Sequence, residues 1–323
     1  MRAVPPAFVP PARIIRVPGR GEIFVRTHLT GRTGTPVVLL LHGWTASADL
    51  QFVTAYEELA QQYDFIAVDH RGHGRGIRTE EPFTLEDVAD DAAGVVEALG
   101  VGPVVAVGYS MGGPVAMLLR HRHPDLVQGL VLGATAMEWK ASRIDRARWH
   151  GLPFTESFLR SRLGARILRW SLARTARRVP EVAPIMPWLS AEMRRNDARS
   201  LTEAGHALSA YDARPWAAAI GVPTTVLVTT KDRLVDPAKQ RALAVATNAE
   251  VVEAEADHLF SILDPSKFSR GIRTSVDNTV ARLASSAPRL PTWSATDHAV
   301  EVDGTVTAES LLAREERVAL HHG

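Results

Sequence analysis

Three residues far apart in the chain are of the types that together make an alcohol reactive: Ser110, Asp232 and His258. Ser110 stands in Gly108-Tyr109-Ser110-Met111-Gly112, straight after the apolar run VVAV and just before PVAMLL. A packed core has little use for a hydroxyl there; a nucleophile on a sharp strand-to-helix turn has. The pattern is G-x-S-x-G in the context that motif requires. The glycines remove side chains that a strained turn would crush. The helix start then offers free N–H groups and a favourable dipole to developing negative charge. The bland reading is an ordinary Gly/Ser turn, and the rest of the chain weighs against it.

A serine needs a base to take its proton, and the base needs a third group to orient it. Asp232 stands one residue beyond the run TTVLVTT, and His258 one residue beyond EVVEAEA. Singly, each reads as a surface residue, and Asp236 is a rival for the acid. Three such residues at strand ends, in the order Ser, Asp, His, point to nucleophilic acyl transfer. That chemistry also needs donors for an oxyanion. The candidates are the backbone N–H of Met111, beside the nucleophile, and that of Trp44, in the loop His42-Gly43-Trp44. Trp44, Tyr109 and Trp139 are the candidate substrate contacts. The scheme calls for no metal and no organic cofactor.

The elements that must position these residues follow from hydrophobic periodicity. Residues 13–30 read as two strands around Pro18-Gly19-Arg20-Gly21. Val37–Leu41 is an uninterrupted apolar run, too short for a helix and suited to a strand buried on both faces. Residues 47–63 read as one helix with Leu50, Val53, Tyr56, Leu59 and Ala60 on a stripe. DFIAVDHRGHG is a second buried strand with a glycine-rich exit. Thr84 and Asp87 stand at capping-box spacing before a helix carrying Leu85, Val88, Ala92, Val95 and Leu99. GPVVAVGYSMGG is strand and turn, PVAMLLRHRHP helix, and LVQGLVLGATA strand. The rhythm breaks near residue 137 and resumes with VPTTVLVTTKD, a helix over 237–247, the strand AEVVEAEADH and a closing helix over 261–285. Alternating strands and helices imply right-handed crossovers and a mostly parallel sheet.

The bulk figures narrow the class. The 323 residues are 46% hydrophobic and 23% charged, with net charge +1 and no cysteine. That balance gives no reason to propose nucleic acid as a partner. The lack of cysteine excludes disulfides, thiolate catalysis and Cys-ligated zinc. No apolar run approaches the roughly 18 residues of a membrane span. The proline-broken N-terminus lacks the continuous apolar stretch of a signal peptide. A cytoplasmic protein is expected.

With these segments in view, the chain resembles the α/β-hydrolase superfamily, especially its esterase, lipase and small-molecule hydrolase branches. The resemblance is carried by LLLHGW (39–44), VDHRGHGRG (68–76), GYSMGG (108–113), TTKDRLVDP (229–237) and ADHLFSILDP (256–265), and covers about residues 20–285. It implies an α/β-hydrolase fold: a mostly parallel sheet flanked by helices, with a helical cap inserted. It also implies that the turn holding His70 and His73 is structural, despite a metal-like H-x-x-H spacing that belongs on a helix with a third ligand. Serine at 110 argues against the branches that use an aspartate nucleophile. Asp257 replaces a glycine common in relatives.

The expected domains are a core of residues 1–136 and 215–287, a cap of residues 137–214, and a C-terminal extension of residues 288–323, with a short helix near 308–320. The cap carries one Lys and 14 Arg against eight acidic residues, a net charge of +7, and includes Trp139, Trp149, Trp170 and Trp188. Solvated arginines on a helical cap are the plain reading; contact with anionic substrates or a lipid surface is the sharper one. The expected activity is hydrolysis of a small or medium, apolar carboxylic ester. Lactone, amide or C–C bond hydrolysis, perhydrolysis and a non-catalytic ligand receptor are the alternatives.

Overall fold

The computed structural model describes residues 6–140, 149, 166, 174 and 179–286. The expected extension and most of the first half of the expected cap lie outside these residues. Eight strands form one sheet: β1 Ala12–Val17, β2 Gly21–His28, β3 Val38–Leu41, β4 Phe65–Val68, β5 Val104–Tyr109, β6 Val127–Gly133, β7 Thr224–Thr229 and β8 Glu250–Ala254. Their spatial order is β1-β2-β4-β3-β5-β6-β7-β8. The contacts β1–β2 and β2–β4 are antiparallel, and all others are parallel. This is the mostly parallel α/β sheet expected from the sequence.

The central strands read as unbroken apolar runs because both their faces are covered. In β3, Leu39 and Leu41 join one core cluster while Val38 and Leu40 join the other. The first cluster takes in α3 (Leu85–Leu99) and α4 (Gly112–Arg122). The second takes in α1 (Ala48–Phe52), α2 (Tyr56–Ala60) and the final helix. Helix α3 starts at Thr84, whose side chain and that of Asp87 form the reciprocal cap.

Two helices differ from the sequence expectation. Residues 47–63 break into α1 and α2, and Phe52, Val53, Ala55 and Tyr56 around the break are all buried. Thr54, in the break, donates its hydroxyl to the Ser261 carbonyl at 3.4 Å. The closing helix is likewise interrupted. Residue 264 leaves the helical region (φ −149, ψ 70) before Pro265, as the proline ring disfavours helical backbone in its predecessor.

Between β6 and β7 the described chain is helical: α5 Met186–Met193 and α6 Ala198–Ala210. Glu138 and Asp212 form an isolated antiparallel bridge, so this segment leaves and rejoins the sheet at one place. The later helices are α7 Pro237–Ala246, α8 Phe260–Leu263 and α9 Pro265–Ser286. Among the described residues no helix is long and apolar enough to cross a membrane.

The junction of β5 and α4 leaves no room for a side chain at two glycines. A Cβ on Gly108 would lie 2.1 Å from the Gly112 carbonyl oxygen, and one on Gly112 would lie 2.0 Å from that of Leu41. Both obstacles are backbone and cannot swing aside. Gly112→Ala is therefore expected to lower the unfolding free energy by more than about 2 kcal/mol in urea denaturation. A loss under about 0.5 kcal/mol would mean that the junction is looser than described.

Candidate active site

Ser110 occupies the tip of that junction in the left-handed region, at φ 53. A non-glycine residue holds this conformation only when its surroundings insist. Here its N–H donates to the Gly133 carbonyl at 2.8 Å, and its carbonyl accepts from the Gly113 N–H at 2.9 Å. The Thr135 hydroxyl donates to the same carbonyl at 2.8 Å. The turn is thus pinned to the end of the neighbouring strand β6.

The Ser110 Oγ lies 3.0 Å from His258 Nε2. His258 Nδ1 lies 2.7 Å from Asp232 Oδ2. With Nδ1 donating to the carboxylate, Nε2 is left as the acceptor that faces the hydroxyl. All three residues are buried, at 8%, 8% and 6% exposure, so solvent competes little for these bonds.

Asp232 is held as an anion. Burial by itself raises its carboxyl, but the His258 hydrogen bond and charge, the Val235 N–H and the Thr229 hydroxyl outweigh that and bring it below the ordinary value. Its Oδ1 accepts from the N–H groups of Leu234 and Val235 at 2.8 and 2.9 Å. Its Oδ2 accepts from Thr229 Oγ1 at 2.7 Å and Gln240 Nε2 at 3.2 Å. The rival, Asp236, is exposed and accepts from Ala238 N–H at 2.8 Å as the N-cap of α7. Asp-Pro ahead of a helix is a start signal readable in the sequence. Nothing in the sequence pointed to Thr229 and Gln240 as partners of the acid.

The loop after β3 comes close beside the serine: a Cβ on Gly43 would lie 3.2 Å from the Ser110 Cβ. Trp44 follows in that loop, and Met111 is the N-cap residue of α4. Among the described residues neither backbone N–H donates to a carbonyl. The Gly43 carbonyl, which shares a peptide plane with the Trp44 N–H, accepts from Ala46 N–H at 3.3 Å. It also lies 2.8 Å from His42 Nδ1. His42 Nε2 accepts from the His70 N–H at 2.9 Å, so the proton of His42 sits on Nδ1 and points at Gly43.

Tyr109 differs from a substrate contact. It is 1% exposed, its ring packs against Phe260 and Phe268, and its hydroxyl donates to the His258 carbonyl at 2.7 Å. No ring face is left open, and the residue braces the backbone of His258. The indole of Trp44 donates to the Leu201 carbonyl at 2.8 Å. Its ring lies 5.7 Å from that of Trp149, which in turn stands edge-on to Trp139 at 6.4 Å. The Trp149 indole donates to the Trp139 carbonyl at 2.8 Å, while the buried Trp139 Nε1 has no hydrogen-bond partner among the described residues.

His42, His70 and His73 form a buried cluster beneath the loop, with ring centroids 4.1 Å (His42–His70) and 5.2 Å (His42–His73) apart. No group of three or more His, Asp or Glu among the described residues is arranged to hold a metal. His70 Nε2 donates to the His42 carbonyl at 3.1 Å, and His73 Nδ1 donates to the Arg71 carbonyl at 3.1 Å. Arg71 in turn grips Asp91 of α3 at 2.8 and 2.9 Å.

A family model described as the alpha/beta hydrolase fold matches residues 36–265. A 2-(acetamidomethylene)succinate hydrolase of Mesorhizobium japonicum is 34% identical over 113 residues, which are 35% of this chain and 39% of that protein. A bifunctional esterase/perhydrolase of Acinetobacter calcoaceticus is 36% identical over 95 residues, 29% of this chain and 34% of that protein. The matched stretches thus span well under half the length of either relative. An esterase structure from Exiguobacterium antarcticum superposes with a TM-score of 0.68 at 19% identity, covering 82% of this chain and 99% of that one, a likeness of fold.

The histidine cluster generates a pH prediction. Burial first, then the neighbouring imidazoles, push His42 well below its ordinary value; burial likewise brings His70 down to about 3 and His73 to about 4. In the unfolded chain such groups titrate near 6.5. Between about pH 6.5 and 4 the unfolded chain therefore binds more protons, and stability falls as pH falls. Asp69, raised mainly by burial to about 6, works against one of these protons. The unfolding free energy from urea titrations is expected to drop by more than about 1 kcal/mol per pH unit between pH 6.5 and 5. A flat profile would mean that the cluster takes up protons while folded.

Proposed function

The chain belongs to the α/β-hydrolase fold family, and from that premise we propose that it is a serine hydrolase acting on a small or medium, apolar carboxylic ester. The observation that carries the reading is the pair of contacts Ser110 Oγ to His258 Nε2 at 3.0 Å and His258 Nδ1 to Asp232 Oδ2 at 2.7 Å. Ser110 Oγ attacks the ester carbonyl carbon while its proton passes to His258 Nε2. The imidazolium, stabilised by Asp232, returns that proton to the departing alkoxide, and the C–O ester bond breaks. Water then attacks the acyl-enzyme with His258 as base, and the carboxylic acid leaves as Ser110 recovers its proton. The N–H groups of Met111 and Trp44 hold the negative oxygen in both tetrahedral intermediates.

The preference for apolar acyl groups is supported by the aromatic series Trp44, Trp149 and Trp139 beside the oxyanion loop. Aromatic walls with few polar groups are the usual lining of such pockets. In this reading residues 137–214, inserted in sequence between the core segments 1–136 and 215–287, form the cap. The similarity to an esterase/perhydrolase is consistent with ester chemistry. Amide, lactone and C–C bond substrates, and peroxide in place of water, draw on the same three side chains.

A fluorophosphonate probe is expected to form one covalent adduct, on Ser110, and p-nitrophenyl butyrate to be hydrolysed. Ser110→Ala removes both without unfolding the protein, and Asp232→Asn lowers kcat by about 10³–10⁴, as loss of the orienting carboxylate does in other such sites. Folded wild-type protein that takes no probe and turns over no ester would instead be a ligand receptor.

A further inference from the structure

Asn196 lies between α5 and α6, far in sequence from the proposed machinery. Its side-chain amide bridges the loops that leave β3 and β4. Oδ1 accepts from the Gly74 N–H at 2.8 Å, and Nδ2 donates to the Thr45 carbonyl at 2.8 Å. The opposite amide orientation would set NH₂ against N–H and oxygen against oxygen, so this one is dictated by its partners.

Thr45 is the residue after Trp44, and it is held at φ 64, in the left-handed region that a β-branched side chain resists. The same stretch of chain also anchors Trp44 itself, through the indole to the Leu201 carbonyl at 2.8 Å. The stretch is fixed in turn against the turn after β4. Arg75 Nη2 pairs with Glu192 Oε1 at 2.5 Å, and Arg78 Nη2 donates to the Arg195 carbonyl at 2.8 Å. The loop carrying the proposed oxyanion donor is thus gripped from within the core at Gly43 and from outside at Thr45 and Trp44.

We infer that Asn196 is a positioning residue for the oxyanion loop: by holding the Thr45 carbonyl it keeps the left-handed turn that aims the Trp44 N–H at the reacting oxygen. The inference rests on the serine-hydrolase reading, because only a charge-developing substrate oxygen makes that aim matter. An interaction of this kind acts in the transition state more than in the ground state. It therefore belongs to kcat rather than KM.

The test uses the full chain and two variants. N196A removes both hydrogen bonds. N196D keeps the size and the acceptor for Gly74 but faces the Thr45 carbonyl with a second acceptor. Each is expected to lower kcat for p-nitrophenyl butyrate by about tenfold to hundredfold, with KM changed less than about threefold. Affinity for a trifluoromethyl ketone with the same acyl chain, whose adduct with Ser110 carries the oxyanion, is expected to fall by the same factor as kcat/KM. Should N196A fail to fold, N196D carries the comparison. Variants with wild-type kcat, a loss confined to KM, or unchanged ketone affinity beside a lowered kcat would overturn the role of Asn196. Wild-type protein that neither takes a fluorophosphonate nor hydrolyses the ester would overturn the hydrolase reading beneath it, so the two failures are distinct.

Discussion

The site depends on one strained residue. Ser110 sits at φ 53 where β5 turns into α4, with carbonyl oxygens of Gly112 and Leu41 so near that Gly108 and Gly112 can carry no Cβ. Backbone strain persists where surrounding bonds over-determine it. Here Gly133 and Thr135 at the end of β6, and Gly113 in α4, supply those bonds. The sheet thus does more than support the turn: the register of β5 against β6 fixes where the hydroxyl stands. Strands β7 and β8, next in order, end beside it and deliver Asp232 and His258.

The electrostatics of the site follow from the same arrangement. Asp232 accepts hydrogen bonds from two N–H groups, a hydroxyl, an amide and the imidazole, which outweigh the cost of burying its charge. A carboxylate so fully satisfied stays ionised and fixes the tautomer of His258. On the other side of the serine, neutral histidines set the peptide of Gly43. Burial that disfavours a charged imidazole keeps His42 a one-proton donor, so the donor's direction does not change with mild acid. Fixed dipoles of this kind need no rearrangement when negative charge develops.

How much of this was legible in the sequence depends on the range of the interaction involved. The buried strands were plain because VLLL and its neighbours meet apolar helices on both faces. Ser110 and its glycines were legible because the constraint is local, within five residues. Asp232 and Asp236 both follow β7, and what separates them is contact with His258, 26 positions from Asp232, and the capping of α7 by Asp236. The break between α1 and α2 was hidden: Thr54 within it meets the carbonyl of Ser261, 207 positions on, and no local pattern announces that contact. Tyr109 resembled a substrate contact because its position in the motif says nothing of the phenol's reach to His258. Asn196 carried no signal at all: its meaning lies wholly in two backbone groups, 151 and 122 positions away, that the fold brings to it.

In the proposed reaction the imidazole at 258 makes the hydroxyl at 110 a nucleophile. The rate at which a fluorophosphonate modifies Ser110, compared between wild type and His258→Gln at equal folded fraction, measures this directly. A fall of about 10³-fold or more is expected, since the glutamine fills the space without accepting the proton. Equal rates in the two proteins would contradict it.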